Sequence, residues 1–188
     1  MHHCPECEKL RKRIEKLEQR LQFIESKPAL KAGFNGERLI SRLVDGIPTA
    51  FSTPHDVTTI RGGKLIEVKL SNLNLAYKGG KTKRWTWHDP LGRKGRKKYH
   101  RLILVGKADP NVDYEEQFTD PYIYFDVPFE NAADLTRKGG AIQISTNPRT
   151  ARTPEAKLLF TKYILSPSEL NARYGILDEI ATQPETDN

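Results

Sequence analysis

Two strand-like runs, residues 53–60 and 65–70, flank the glycine pair Gly62 and Gly63. The runs are rich in β-branched and other apolar residues, and a Gly-Gly dipeptide is typical of the tight turn that joins two antiparallel strands. The sequence therefore predicts a β-hairpin. This is the feature that most constrains the fold, because the register of a hairpin fixes the face on which each of its side chains lies.

A turn at the two glycines predicts the register of this hairpin. The expected cross-strand pairs are Ile60 with Leu65, Thr58 with Glu67, and Asp56 with Lys69. Strand side chains alternate between the two faces of a sheet, and a four-residue loop over residues 61–64 would leave that alternation unchanged. One face is then polar (Asp56, Thr58, Glu67 and Lys69), and the other is mainly apolar (Val57, Thr59, Ile66, Val68 and Leu70).

The polar face brings two carboxylates and one ammonium together on an otherwise apolar hairpin. Such a cluster is costly to bury unless the protein uses it. Carboxylates supply the hard oxygen ligands that Mg²⁺ prefers, and a bound Mg²⁺ stabilises charge on a phosphate and lowers the pKa of an attacking water. Asp56, Glu67 and Lys69 are therefore candidate residues for the hydrolysis of phosphodiesters, with Asp56 and Glu67 as the Mg²⁺ ligands.

The spacing of Asp56, ten further residues and then Glu67-Val68-Lys69 resembles the motif of the PD-(D/E)XK nuclease superfamily. The resemblance covers about residues 37–105, and His55 stands where the family often has the proline directly before the aspartate. It implies an Mg²⁺-dependent nuclease with a restriction-endonuclease-like core, in which the Asp and Glu bind the metal and the Lys orients or activates water. It also implies that Glu37, on the preceding helix, completes the catalytic site.

A plainer interpretation of the same residues stays open at this point. Glu67 and Lys69 would then be a same-face pair on a solvated edge strand, and Asp56 would be a surface residue. In that case Asp56→Ala or Lys69→Ala would change neither folding nor activity.

The remaining pattern predicts an α/β fold, a mixed central β-sheet flanked by helices. Further strands are expected at residues 101–105, which are apolar enough to be central, and at 122–127 and 141–145. Helices are expected at residues 37–45 after an Asn35-Gly36 cap, at 131–137, from Thr153 to about residue 164, and after a capping box at Ser166 and Glu169. The nuclease domain would span residues 28–182, and the polar tail 183–188 would be disordered.

The N-terminal segment, residues 1–27, carries a heptad pattern. Its apolar residues recur at alternating spacings of four and three, and the positions between them are mostly charged (Leu10, Ile14, Leu17, Leu21 and Ile24). So narrow a stripe favours a two-stranded coiled coil, and hence a homodimer, over a helix packed on a globular core.

Cys4 and Cys7 have the spacing of half a zinc site, just before this heptad helix. In a parallel dimer, two such pairs would make a four-thiolate Zn²⁺ site, similar to the zinc hook of long coiled-coil repair ATPases. The alternative is two ordinary thiols at a frayed end of the chain.

Residues 78–98 form a basic block, expected to be a loop. It holds nine Lys or Arg and one acid, with two tryptophans interleaved (Lys78, Lys81, Lys83, Arg84, Trp85, Trp87, Arg93, Lys94, Arg96, Lys97 and Lys98). The cations are candidates for binding DNA phosphates, and Arg84, Arg93 and Arg96 for reading guanine. The tryptophans would stack on bases or wedge between them, or else they lie in the protein core.

Composition adds a net charge of +7, which suits an acidic polymer as partner, and no apolar run is long enough for a membrane span. We expect an intracellular, cytoplasmic protein because the N-terminus lacks an apolar signal. The expected function is a dimeric restriction-type endonuclease acting on double-stranded DNA. The alternatives are a homing or phage endonuclease, a junction resolvase, a non-catalytic dimeric DNA-binding protein, and a zinc-dependent adaptor for another protein.

Overall fold

The structure is a computed structural model that describes residues 5–50, 53–92, 97–118 and 120–176. The chain divides into two units, Met1–Asn35 and Gly36–Asn188, and the division falls within the second helix. The predicted boundary after residue 27 coincides instead with the break between the first two helices. The tail over residues 183–188, predicted to be disordered, lies outside the described residues.

The first unit contains helix α1 (Pro5–Glu25), which confirms the helix predicted from the heptad pattern. Four apolar residues of the heptad stripe are each more than half exposed in the single chain (Leu10, Ile14, Leu17 and Leu21, at 52% to 58%). The helix ends near Ser26, whose hydroxyl donates back to the carbonyl of Phe23. Within the described ranges, no helix is both long and apolar enough to cross a membrane.

Helix α2 (Pro28–Leu43) begins earlier than predicted, so the expected cap at Asn35-Gly36 is wrong. Proline is favoured at the first position of a helix, and the residues that follow it are strong helix formers. Gly36 lies inside the helix, and its lack of a side chain lets the helix approach the sheet closely there. A Cβ at this position would lie 2.9 Å from the Cβ of Leu70.

The second unit is built on a mixed six-stranded sheet, which confirms the predicted α/β class. Its strands, in spatial order, are β1 (Gly46–Pro48), β2 (Val57–Thr59), β3 (Leu65–Ser71), β6 (Arg101–Lys107), β7 (Tyr122–Pro128) and β9 (Ile164–Leu165). Strands β3 and β6 pair in parallel, and the neighbouring pairs on either side are antiparallel. Strand β6 is central, as its apolar sequence predicts.

A second sheet of three strands occupies part of the region that was predicted to be a loop. It consists of β4 (Asn74–Leu75), β5 (Lys83–His88) and β8 (Ala141–Ser145). The loop prediction for residues 78–98 is therefore wrong over β5. Trp85 and Trp87 alternate with polar residues along β5, and both are buried. Their indole N–H groups donate to the carbonyls of Lys107 and Val105, so burying two large aromatic rings outweighs the charge of the flanking residues.

The two faces of the large sheet are covered differently. Ile40 of α2 and Val44, just after α2, pack with apolar residues of α5 (Pro167–Tyr174) against one face, which includes Val57, Ile66 and Val68. The opposite face packs against the tryptophans of β5, the inner side of β8, and residues of α3 (Phe129–Leu135) and α4 (Pro154–Leu158). The expectation of a sheet flanked only by helices is thus corrected, since a small sheet covers part of one face.

The last two helices begin as predicted. Thr153 caps α4 by accepting a hydrogen bond from the N–H of Ala156, and a π-helical turn, Leu159–Tyr163, follows α4. The predicted capping box at the start of α5 is confirmed, with the Ser166 hydroxyl and the Glu169 side chain each bonded to the other's backbone N–H.

Helix α5 is tied to the sheet through the buried carboxylate of Asp126 on β7. Oδ1 of Asp126 accepts from Nε of Arg101 at 2.7 Å. Oδ2 accepts from the guanidinium of Arg173 and from the hydroxyl of Tyr174, each at 2.6 Å. Three donors thus compensate the burial of one charge, and two of them come from α5.

Candidate active site

Strand β3 places Glu67 and Lys69 side by side on one face of the large sheet. The side chain of Glu67 is fully buried, and Nζ of Lys69 lies 2.9 Å from its Oε1. β3 lies between β2 and β6, so the interpretation of Glu67 and Lys69 as a pair on a solvated edge strand is wrong.

The register of the β2–β3 hairpin differs from the predicted one. Val57 pairs with Ile66, and Thr58 pairs with Leu65. The turn closes one step earlier because the hydroxyl of Thr59 accepts from the N–H of Lys64 and donates to the carbonyl of Arg61. The shift is two residues along β3, so each side chain keeps its predicted face.

The apolar face confirms that alternation. Val57, Ile66 and Val68 are buried in one cluster with the residues of α2, and Leu70 packs against that cluster. Glu67 and Lys69 lie on the other face, where their side chains meet.

Asp56 lies immediately before β2 and reaches toward β3. Its backbone N–H donates to the carbonyl of Ile66 at 2.9 Å. Its Oδ2 accepts from the backbone N–H of Val68 at 2.8 Å. The carboxylate is therefore fixed beside the strand residue that follows Glu67, rather than opposite Lys69 as the predicted register implied.

Lys97 also belongs to the site, although the sequence predicted for Lys97 only a role in DNA binding. Its ammonium contacts the same Oε1 of Glu67 that Lys69 binds. The N–H of Lys97 bonds to the carbonyl of Leu91, and the nearby Tyr99 hydroxyl donates to the carbonyl of Pro90. These bonds close the end of the basic block on itself, and the N–H of His100, which donates to the carbonyl of Leu65, joins that end to β3. A separation of thirty residues from Glu67 leaves no local sequence signal for this contact.

Glu37 lies one helical turn before Ile40 on α2 and is partly buried. Burial, and then the negative charges of Asp56 and Glu67, raise the pKa of Glu37 from an ordinary 4.5 to about 7. The two nearby ammonium groups of Lys97 and Lys69 oppose that shift. Glu37 is therefore within electrostatic range of every other charged group of the site.

The environment of Glu67 also raises the pKa of its carboxyl group. Burial, followed by the charge of Asp56, raises its pKa, although Lys69 and Lys97 pull in the opposite direction. Oε2 of Glu67 is shielded from solvent and has no hydrogen-bond partner in the described part of the chain. A buried carboxylate oxygen without a donor is costly, and a hard cation is the ligand that such an oxygen suits best.

The residues that surround Glu67 are compatible with Mg²⁺. This ion is usually held by one or two carboxylates, with water and substrate phosphate oxygens in its other positions. In the described ranges, no group of three or more His, Cys, Asp or Glu side chains is arranged to hold a metal ion. Asp56 and Glu67 are thus candidates for the two protein carboxylates of such a site.

His55, the residue before Asp56, lies next to the candidate site, and the sequence predicted no role for it. Its Nε2 lies 3.0 Å from the hydroxyl of Thr58, and its Nδ1 is buried without a hydrogen-bond partner among the described residues. The imidazole thus links the loop that carries Asp56 to strand β2.

The candidate DNA-binding residues fall into distinct groups. Trp85 and Trp87 are buried in the core, which corrects the prediction that they stack on bases and supports the alternative. Lys83 pairs with Asp109 at 3.1 Å, and Arg84 is partly buried. Three lysines are exposed on the surface (Lys78, Lys81 and Lys98). Three further residues lie outside the described ranges (Arg93, Lys94 and Arg96).

The predicted zinc site can be located only in part. Cys7 is exposed on the first turn of α1. Cys4 lies outside the described residues.

Comparisons with known proteins add no family assignment: no protein-family model matches the chain, and no curated protein matches it significantly. The functional assignment therefore depends on the side chains of the site and on their geometry.

Proposed function

We propose that this protein is an Mg²⁺-dependent DNA endonuclease with a restriction-endonuclease-like active site. The observation that carries the proposal is the environment of Glu67. This carboxylate is fully buried, two ammonium groups bind one of its oxygens, and the other oxygen lacks a partner in the described structure. Asp56 and Glu37 both lie within electrostatic range of it.

Asp56 and Glu67 would hold the metal ion. When bound, Mg²⁺ supplies charge stabilisation for the scissile phosphate and increases the acidity of an attacking water. The hydrogen bond from Val68 to Asp56 fixes one carboxylate, and burial within β3 fixes the other. Both ligands are thus held in place by the protein fold, which reduces the cost of organising the site.

The two lysines would have separate roles. Lys69 extends from the same strand as Glu67 and would orient the nucleophilic water. Lys97 reaches Glu67 from a different segment, so its ammonium can move to a phosphate oxygen once the charge of Glu67 is otherwise compensated. Glu37, with a pKa raised to about 7, holds or releases a proton near neutral pH.

DNA binding would depend on backbone phosphates and on the exposed cations of the basic block. Lys78, Lys81 and Lys98 are solvent-exposed and available for phosphate contacts. Among the residues outside the described ranges, Arg93 and Arg96 remain our candidates for guanine contacts.

The exposed heptad stripe of α1 supports a homodimer. Apolar side chains at Leu10, Ile14, Leu17 and Leu21 are more than half exposed in the single chain, and a second α1 would bury them in a coiled coil. A two-fold dimer presents two active sites to the antiparallel strands of a duplex, which favours restriction-type cleavage over a homing, phage or junction-resolving role. A structural Zn²⁺ at Cys4 and Cys7 would add one ion per two chains, a ratio that elemental analysis measures.

The test is cleavage of supercoiled plasmid DNA by purified full-length protein, with Mg²⁺ and with EDTA. The wild type should nick or linearise DNA only with Mg²⁺. Asp56→Asn should abolish cleavage, whereas Asp113→Asn, which removes a highly exposed carboxylate, should not. Metal-independent DNA binding without nicking in any divalent cation would instead identify a non-catalytic DNA-binding protein and overturn the proposal.

A further inference from the structure

A pocket of about 220 Å³ opens beside the small sheet, between strands β5 and β8 and the start of α4. Its lining includes four cationic residues (Lys83, Arg84, Arg137 and Arg152). None of the described residues that line it is acidic. The pocket is therefore a concave, positively charged surface that lies outside the candidate active site.

Arg84 is the residue that most requires a ligand. It follows Lys83 on β5, and its side chain lies on the opposite face from the neighbouring Trp85, which is in the core. Nε of Arg84 is shielded from solvent and has no hydrogen-bond partner in the described part of the chain. A shielded guanidinium N–H without an acceptor costs free energy, and an anion in the pocket would supply that acceptor.

The net charge of the pocket comes mainly from its arginines. The ammonium of Lys83 is already paired with Asp109 at 3.1 Å. Arg137 lies within electrostatic range of Glu155, which is not part of the lining. Arg152 is exposed at the mouth of the pocket. Guanidinium groups bind phosphate oxygens in a bidentate manner, which makes arginines the preferred residues for recognising phosphate.

Hydroxyl groups also line the pocket, among them those of Ser145, Thr150 and Thr153. Those of Ser145 and Thr150 are hydrogen-bonded to each other at 3.0 Å, and Thr150 also donates to the carbonyl of Asn147. Thr153 bonds to Glu155 and caps α4. These hydroxyl protons are thus engaged within the protein, and the guanidinium groups are the main donors available to an anion.

The pocket is connected to the catalytic strand. The N–H of Thr86 on β5 donates to the hydroxyl of Ser71 at 2.8 Å, and Ser71 ends the strand that carries Glu67. The path from Glu67 to Arg84 runs four residues along β3 to Ser71, crosses to Thr86, and runs two residues back along β5. At about 3.3 Å per residue, this path is about 25 Å long. One strand of DNA carries a phosphate for about every 3.4 Å of helix rise, so a bound strand reaches the pocket within several nucleotides.

We propose that this pocket binds a backbone phosphate of the nucleic acid, several nucleotides from the cleaved bond. The inference rests on the proposed function in one respect, namely that the protein's partner is nucleic acid. It assigns to Arg84, Arg137 and Arg152 a role in seating the substrate strand.

The test measures binding of duplex DNA to full-length protein carrying Asp56→Asn, which prevents cleavage during the measurement. Arg84→Gln and Arg152→Gln are each added to this background, and Lys157→Gln is the matched control because Lys157 is an exposed lysine on α4 outside the pocket lining. Fluorescence anisotropy over a series of salt concentrations gives the affinity and its salt dependence for each variant.

Each pocket variant should weaken binding about tenfold and lower the slope of log affinity against log salt by about one. The control should change neither quantity to that extent, and Arg84→Lys should retain most of the slope. Because Arg152 is exposed, its variant tests the pocket even if a change at Arg84 disturbs folding, which the melting temperature reports.

Two results would overturn the inference. One is pocket variants that bind DNA as the control does. The other is binding of inorganic phosphate, followed by calorimetry, that the pocket variants lose while their DNA affinity is unchanged, because the pocket would then serve a free phosphate. Since binding is measured without cleavage, a wild type that never nicks DNA would refute the nuclease proposal and leave this inference standing.

Discussion

The carboxylate of Asp56 accepts a hydrogen bond from the backbone N–H of Val68, with 2.8 Å between Oδ2 and N. This bond joins the loop before β2 to the strand that carries Glu67, so it holds a candidate metal ligand in place through protein contacts alone. Asp56 therefore has a structural contact as well as a proposed catalytic role, and two substitutions separate them.

Asp56→Asn keeps an oxygen that accepts from Val68, whereas Asp56→Ala leaves that N–H without its partner. Both variants should lose Mg²⁺-dependent cleavage by about 100-fold or more. Only the alanine variant should lose stability, by about 1–3 kcal/mol, for the unpaired backbone N–H. Plasmid cleavage and urea unfolding measure the two effects. Normal cleavage by either variant would contradict the assignment of Asp56 as a metal ligand.

Removing the ammonium of Lys97 should destabilise the metal-free protein but strengthen its binding of Mg²⁺. Lys97→Met leaves buried Glu67 with Lys69 as its remaining cationic partner in the described site, so without metal we expect a loss of about 1–3 kcal/mol. Mg²⁺ should bind the variant more tightly because a competing cation is gone. Calorimetry and melting curves with and without Mg²⁺ test this.

Lys98→Met is the control for that experiment, since Lys98 is the exposed neighbour of Lys97. It should leave both the metal-free melting temperature and the Mg²⁺ affinity unchanged. Equal behaviour of the two variants would mean that the contact between Lys97 and Glu67 does not contribute in solution.

The raised pKa of Glu37 predicts a specific pH dependence of stability. The pKa is about 7 in the folded protein, against an ordinary 4.5, so the folded state binds this proton more tightly than the unfolded chain does. The titration of Glu37 therefore lowers the free energy of unfolding as pH rises from about 4.5 to about 7.

Glu37→Gln should remove that contribution. In EDTA, its melting temperature should match the wild type at acidic pH and exceed it above neutral pH. Glu116→Gln, at an exposed position, should show no such pH-dependent difference. A difference between wild type and Glu37→Gln that is the same at all pH values would contradict the prediction.

The close approach of α2 to the sheet predicts that replacing Gly36 destabilises the protein. Gly36→Ala places a methyl group 2.9 Å from the Cβ of Leu70, so the helix must shift, at a cost of about 1–3 kcal/mol. Gly33→Ala, in the same helix, meets nothing within 4 Å and should stabilise by up to about 1 kcal/mol. Chemical unfolding of both variants measures the contrast, and equal effects would exclude the close packing.

The heptad stripe of α1 predicts a dimer that single charges disrupt. Leu17→Glu places a carboxylate in the middle of the heptad stripe and should convert the protein to a monomer at micromolar concentration. Glu15→Gln, outside the heptad stripe, should leave the molar mass of the dimer unchanged. Light scattering after size exclusion reports both, and a monomeric wild type would refute the coiled coil.

The sequence predicted the faces of the β2–β3 hairpin but not its register. Glu67 and Lys69 lie two residues apart on β3, so strand alternation places them on one face whatever the register, and they are found there. The pairing itself depends on the Thr59 hydroxyl, which closes the turn one step earlier than the two glycines alone suggest. The capping box at Ser166 was predictable because all of its partners lie within four residues.

Contacts between distant segments were not predictable from the sequence. Lys97 meets Glu67 only because β3 and the end of the basic block come together in three dimensions. Strand β5 did carry a signal, since Trp85 and Trp87 alternate with polar residues. Its cations obscured that signal and favoured the prediction of a loop.

The buried charge of Asp126 sets a limit on how far the protein can be shortened. Two of its three donors come from the last described helix, at Arg173 and Tyr174. A chain cut before these residues would keep an anion enclosed in the sheet with Arg101 as its remaining donor among the described side chains, and a poorly compensated buried charge is strongly destabilising. Proteolysis within α5 should therefore destabilise β7 and the neighbouring central strand β6, in addition to removing a peptide.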